Sequence, residues 1–256
     1  MAARAAQPAA SARIVSLVPS ITELVCELGL ADGLVGRTGF CIHPKSALAR
    51  VPKVGGTKSV NLEKVKALRP THVIVNIDEN KKDTADALAE FVPNVIVTHP
   101  LAPEDNLALY RQIGGAFGRE REAERLCAAF RAAYDEARSR TYARRKVLYL
   151  IWKNPWMTVS RDTYVARMLA LVGLDTVPAA AEGRYPKLAD LDVPGAQMIL
   201  LSTEPFCFRE NHVREIGQSA RLPARLIDGE MTSWYGPRAI AGLGYLAEFS
   251  ARLSAR

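Results

Sequence analysis

No apolar run in these 256 residues reaches the roughly 20 that a helix needs to cross a bilayer, so no helical span is expected. The opening residues, MAARAAQPAASA, lack the apolar centre of a secretory leader. The expected location is therefore cytoplasmic if the chain is complete as written, and periplasmic if a leader was removed. Cysteine is scarce: Cys26, Cys41, Cys127 and Cys207 form no Cys-x-x-Cys pair and lie far apart, which argues against a disulfide framework and for buried free thiols. No basic stripe with interleaved aromatics accompanies the net charge of +7, because the arginines alternate with acidic residues. Nucleic acid is not expected as a partner; the charge serves solubility and is compatible with a small anionic ligand.

What remains is a globular chain, 48% apolar, long enough for one large or two small domains. Its most regular stretch is the run from Arg119 to Arg145. Leu126, Cys127, Phe130, Tyr134 and Ala137 recur at helical spacing, charges such as Glu122, Arg125, Arg131 and Glu136 fill the other faces, and neither glycine nor proline interrupts. The run predicts one helix of roughly 25 residues. It is read as a connector over 119–145, between an N-terminal α/β lobe over 13–118 and a C-terminal α/β lobe over 146–256, with 1–12 a disordered tail. An ordinary long surface helix within a single domain is the plainer alternative.

Both flanks alternate short β-branched strands with amphipathic helices. Strands are predicted at Arg13 to Val18, Leu34 to Arg37, Val73 to Val75 and Val95 to Thr98, and again at Lys146 to Ile151 and Arg225 to Ile227. Ser20 with Glu23 reads as a capping box opening the first helix, and EMTSWYGPR reads as a loop before a closing helix. LADLDVPGAQMILL has the helix-then-strand texture of NLEKVKALRPTHVIV, which suggests two related halves. Strands separated by helices of this length predict parallel pairing through right-handed crossovers.

In parallel α/β lobes, ligands sit beyond the carboxyl ends of the strands. The residues there are Phe40, Cys41 and His43; Asn76 and Asp78; His99; Trp152, Lys153 and Trp156; Glu204, Phe206 and Phe208; and Glu230, Trp234, Tyr235 and Arg238. All three tryptophans fall in this set, which has the aromatic character of a small-molecule site. Alternatives stay open for each. Cys41-x-His43 offers two metal ligands where a closed site needs three or four, or a nucleophile and base spaced too widely without a turn. Trp152 and Trp156 also fit a core or an interface, and Glu230 with Arg238 also fits a structural ion pair.

Together RIVSLVPSITELVCELGL, NLEKVKALRPTHVIV, NPWMTVSRDTYVARMLALVG, TSWYGPR and the central helix resemble the helical-backbone (class III) substrate-binding proteins of ABC importers. These bind cobalamin, siderophores, haem or metal chelates. The resemblance covers Arg13 to Leu253. It implies two Rossmann-like α/β lobes joined by one long backbone helix, a ligand cleft between the lobes, a binding protein rather than an enzyme, and no intrinsic cofactor or metal. Within that family the cobalamin-binding branch is most similar. Phe40, Tyr185 and Trp234 fall where its aromatics touch the corrin, whereas Thr57 and Asn76 replace tryptophans and Ser233 replaces an aspartate.

The implied ligand is accordingly cobalamin or another metal chelate, stacked on Phe40, Trp156, Tyr185 and Trp234. Lys58, Lys153, Arg184, Glu204, Glu230 and Arg238 would meet its polar edge, with Trp152, Phe206 and Tyr235 beside them, and His43 or Cys41 is the candidate axial ligand. Glu63 matches one of the two glutamates that dock such proteins on an ABC permease, and Asp190 and Asp192 stand where the second belongs. A monomer is expected. The alternative is a cytosolic corrinoid- or metal-chelate-processing enzyme or trafficking protein with Cys41 or Glu230 in a chemical role; a scaffold with a vestigial cleft is the third reading.

Overall fold

The computed structural model describes residues 12–179 and 183–254. The tail expected over 1–12 lies, Ala12 apart, outside them. The chain divides into two compact units: one runs to His99 and takes in Leu109–Glu124, and the other comprises Pro100–Ala108 and everything from Arg125 onward. Among the described residues no helix is long and apolar enough to cross a membrane.

The first half of the chain runs β1 (Ile14–Ser16), α1 (Pro19–Glu27), β2 (Leu34–Arg37), α2 (Lys45–Leu48), α3 (Leu62–Ala67), β3 (His72–Asn76), α4 (Lys82–Ala89), β4 (Asn94–Thr98), α5 (Asp105–Ala116) and α6 (Glu120–Ser139). The four strands form a parallel sheet in the order β2-β1-β3-β4. Val15, Leu17, Val54, Val65, Val73, Val75, Leu88 and Val92 form a core cluster within this unit. Val15, Val73 and Val75 belong to the sheet strands, where β-branched side chains pack well on the pleat. The capping box at Ser20 does not form: α1 opens at Pro19, whose fixed φ and missing N–H suit the first helical position, and Ser20 is buried inside the helix.

α6 occupies Glu120–Ser139 and so stops short of the expected Arg145. Its predicted face of Leu126, Cys127, Phe130, Tyr134 and Ala137 is buried throughout. The apolar spacing ends at Ala137, whose carbonyl accepts from the Tyr142 hydroxyl at 2.8 Å, and Ser139 Oγ donates to Glu136 O at 2.8 Å. With its last carbonyls met by side chains the helix ends there, and the Arg145 N–H turns to Gly173 O at 2.9 Å as the next strand begins.

That strand is β5 (Arg145–Trp152), followed by β6 (Trp156–Thr158), α7 (Tyr164–Leu171), β7 (Leu174–Thr176), β8 (Lys187–Leu188), β9 (Met198–Ser202), α8 (Glu210–Ala220), β10 (Ala224–Ile227), α9 (Gly229–Ser233) and α10 (Arg238–Ser254). The sheet order is β10-β9-β5-β6-β8, with β7 also pairing β5. Wholly parallel pairing is corrected here: β6 is antiparallel to both β5 and β8. Residues 153–155 are the hairpin turn between β5 and β6, and two-residue and three-residue strands are too short for their periodicity to be read. The helix expected in LADLDVPG is absent. Asp190 Oδ1 instead accepts from the Asp192 N–H at 2.9 Å, a local turn that competes with helix, and Pro194-Gly195 cannot extend one. The loop EMTSWYGPR contains α9, capped by Asp228 Oδ1 accepting from Met231 N at 3.1 Å.

Candidate functional site

In the first unit the carboxyl ends of the strands carry an exposed apolar strip. The Phe40 side chain is 62% exposed just after β2, and Ile42 and Ile77 are exposed with it. Phe40 rests on glycine: a Cβ at Gly56 would stand 3.3 Å from Phe40 Cε2. Gly55 before it holds φ +120°, with a Cβ position 2.3 Å from Ser59 O, so this tight loop admits glycine alone. The loop is tied to the end of β3, since Asn80 Nδ2 donates to Thr57 O at 3.0 Å and Lys58 Nζ to Asp78 O at 2.6 Å. His99 Nε2 lies 3.4 Å from Asp78 Oδ1, both partly exposed. Phe40, Lys58, Asp78 and His99 therefore mark out one continuous edge.

Two sequence candidates leave that edge. Cys41 turns inward, fully buried, with Sγ 3.1 Å from Thr38 Oγ1 and 3.8 Å from Ser16 O. Burial pushes its thiol above the ordinary range. A buried, protonated thiol is neither an axial ligand nor a nucleophile, and His43 two residues on is half-buried. Asn76 is buried as well, and its amide is spent on Thr98 O at 3.1 Å and on the Asp78 N–H at 2.8 Å. Its task is to tie the end of β3 to β4.

The second unit builds a denser cluster from two motifs far apart in sequence, STEPF and DGEMTSWYG. Glu204 Oε1 accepts from the Trp234 indole Nε1 at 2.6 Å and from Ser233 Oγ at 2.9 Å. The Glu204 Cγ lies over Gly229, where an added Cβ would meet it at 2.5 Å, so the α9 backbone and the end of β9 are in contact. Arg238 stacks on the Trp234 ring at 5.0 Å and pairs with Glu230 at 3.0 Å. Trp234 is only 7% exposed and Tyr235 is also buried, its ring edge-on to Tyr164 at 5.8 Å. Trp234 is thus a braced member of the site and not an open stacking face, which corrects the simplest form of the sequence expectation.

The remaining second-unit candidates form two further groups. Trp152 is exposed and meets Phe206 edge-on at 5.7 Å, and Phe206 continues into Phe208 and His212 at 4.7 and 5.6 Å. Lys153 pairs with Glu215 of α8 at 2.7 Å and lies 5.8 Å from the half-buried Trp156 ring. Trp156 also lines a groove of about 460 Å³ together with Asp190, Asp192 and Arg221. Tyr185 is exposed, as are Asp190 and Asp192, and Glu63 is exposed in the first turn of α3. All four cysteines are free thiols. Among the described residues no group of three or more metal-ligating side chains is assembled.

Several residues that hold this arrangement carry no sequence signal of their own. Asn106, fully buried, donates to Pro103 O at 2.8 Å and to Tyr164 Oη at 2.9 Å, and accepts from the Gly236 N–H at 2.6 Å. It anchors the loop after Trp234. Tyr149 Oη donates to Ser202 Oγ at 2.9 Å, and Ser202 Oγ donates to Glu204 O at 2.6 Å, which shapes the turn carrying the glutamate.

Burial is the main force raising the Glu204 carboxyl above the usual carboxylate range, with Glu230 and Asp228 adding to it, against the pull of the Ser233 and Trp234 donors. The folded chain therefore binds a proton that the unfolded chain has released, over the window from the ordinary glutamate value upward. In that window stability falls as pH rises. We expect Glu204→Gln to remove this contribution, so that denaturant unfolding from pH 4 to pH 8 finds wild type losing stability relative to the variant as pH increases. A difference that is flat or opposite in slope refutes the assignment.

The profile of the family described as periplasmic binding protein matches residues 14–195. An uncharacterized ABC transporter substrate-binding lipoprotein, YvrC of Bacillus subtilis (strain 168), is 26% identical over 250 residues, covering 92% of this chain and 79% of its own. Among solved structures, the periplasmic vitamin B12 binding protein BtuF of Vibrio cholerae superposes with a TM-score of 0.81 at 17% identity, covering 96% of this chain and 99% of that one. The periplasmic heme-binding protein RhuT from Roseiflexus sp. RS-1 superposes with a TM-score of 0.78 at 22% identity, covering 94% and 97%. At such identities the two structures speak for the fold, and they agree with the α/β class expected from the sequence.

Proposed function

The chain belongs to the periplasmic binding protein family, a family of binding proteins and not of enzymes, and on that premise we propose that it is the substrate-binding protein of an ABC-type uptake system for a corrinoid or another metal chelate. The observation that carries the reading is the exposed strip of Phe40, Ile42 and Ile77 at the strand ends of the first unit, with a glycine beneath the ring. Large apolar side chains left open together at the carboxyl ends of a parallel sheet suit a flat, largely apolar ligand. The second unit, taken by itself, exposes Trp152 and Tyr185 and carries the polar group Glu204, Glu230 and Arg238, residue types that suit such a ligand. Relatives in fold described as binding vitamin B12 and heme support the ligand class.

On the same reading the ligand is cargo and not a resident cofactor, and Glu63 with Asp190 and Asp192 offers carboxylates to the cationic groups of a permease. The protein would work as its relatives are described, in the periplasm or as a lipoprotein.

The test is a calorimetric and visible-absorbance titration with cobalamin, cobinamide and hemin. At least one is expected to bind wild type, and Phe40→Ala to weaken it by about 1 to 3 kcal/mol, roughly 5- to 150-fold. The exposed ring makes this variant neutral for folding, so thermal melting should be unchanged. His43→Ala tests the axial role through the loss of a spectral shift. Failure of wild type to bind any of the three overturns the reading, and undiminished binding by Phe40→Ala overturns the strip.

A further inference from the structure

At the opposite end of the second sheet, the amino ends of β5, β9 and β10 border a groove of about 440 Å³. Met198, Phe249 and Leu253 line it as apolar residues, together with three arginines, Arg145, Arg225 and Arg252. Among the described residues that line it there is no carboxylate side chain. β5 and β10 flank β9 and so lie about 10 Å apart across the sheet, with Val147 level with Met198 and Arg225 level with Leu200. Arg145 Nη2 donates to Leu253 O at 3.0 Å, in the last turn of α10, and Arg225 Nη1 donates to Ala224 O at 3.0 Å. These two bonds account for part of each fork only. The Arg145 Nε is buried and has no acceptor, and a buried donor left unmade is costly. Arg252 has Glu248 at 3.6 Å as its counter-ion, with both side chains largely exposed, so that pair is weak and readily exchanged.

We propose that this groove is a second binding site, for a phosphate ester with a short apolar arm. Three arginines lining one groove offer more donors than the two oxygens of a carboxylate can use and suit the several oxygens of a phosphate, and the volume lies in the range of small-molecule pockets. The apolar arm covers the Phe249 floor, while the phosphate supplies the acceptor that Arg145 Nε lacks. The site is separated from the strand-end cluster by the length of the sheet, about 15 Å for a five-residue strand, and it does not rest on the chelate reading.

Octyl phosphate titrated calorimetrically into the full chain at low salt tests it, with inorganic phosphate as the comparison. Wild type is expected to bind octyl phosphate at least tenfold more tightly than inorganic phosphate. The surface double variant Arg225→Gln/Arg252→Gln should lose at least tenfold in octyl phosphate affinity with unchanged thermal melting. Arg145→Gln, which also removes a helix cap, should lose as much, and its own melt reports whether it folds. No binding by wild type, equal binding by the double variant, or inorganic phosphate binding as tightly as the ester each overturns the proposal.

Discussion

Replacing Trp234 by alanine will lower the unfolding free energy by about 3 to 5 kcal/mol, the range for removing a buried large aromatic. The indole fills a site where it is 7% exposed, so its loss leaves a cavity bounded by structure that relaxes only in part. It also takes away one of the two donors that hold Glu204 Oε1 and the ring on which Arg238 stacks. Trp234→Phe separates these effects. It keeps most of the packing but drops the N–H, leaving Ser233 as the donor to Glu204 Oε1, and should cost about 1 to 3 kcal/mol through the lost hydrogen bond. Urea unfolding of the three proteins measures both. A loss under about 1 kcal/mol for the alanine variant would mean that the indole does not anchor the loop. Chelate binding should fall with Trp234→Ala even at temperatures where the variant is folded, since the Glu204, Glu230 and Arg238 group would lose its support.

Asn106→Leu should be nearly as damaging, at about 3 kcal/mol or more. The leucine matches the volume roughly, yet it takes the Asn106 side chain away from the Gly236 N–H and the Tyr164 hydroxyl, while the Pro103 carbonyl keeps the Asn106 N–H at 3.2 Å. Buried polar groups deprived of a partner cost about 1 to 3 kcal/mol apiece. A double-mutant cycle checks the mechanism and not merely the size. In a Tyr164→Phe background the hydroxyl is already gone, so Asn106→Leu should cost about 1 kcal/mol less than in wild type. Strict additivity would show that the pair is not coupled. Because Asn106 holds the backbone two residues beyond Trp234, this substitution should weaken chelate binding while leaving Phe40 and its loop untouched.

Much of the architecture was legible because it is local. The β-branched strands at Ile14–Ser16, His72–Asn76 and Asn94–Thr98 and the apolar face of α6 are periodic in the sequence, and periodicity is dictated by burial of one face. The misses lie where a different term prevailed. Proline at the first helical position displaced the capping box at Ser20. Aspartates bonded to their own backbone replaced the helix expected around Asp190. β6 and β8 escaped because a strand of two or three residues is stabilised by its neighbours and carries little pattern.

By itself the sequence determined the α/β class, the alternation of strands and helices, the family, and the list of residues that follow the strands. Each of these depends on spacing within one element or on motifs that are contiguous. Only the tertiary structure decided what those residues do. It turned Cys41 inward, set Phe40 open on Gly56, joined Glu204 to Trp234 30 positions further along the chain, and spent Asn106 on three partners. The physical reason is that burial and hydrogen-bond satisfaction are properties of a residue's neighbours in space, and those neighbours are chosen by the packing of whole elements.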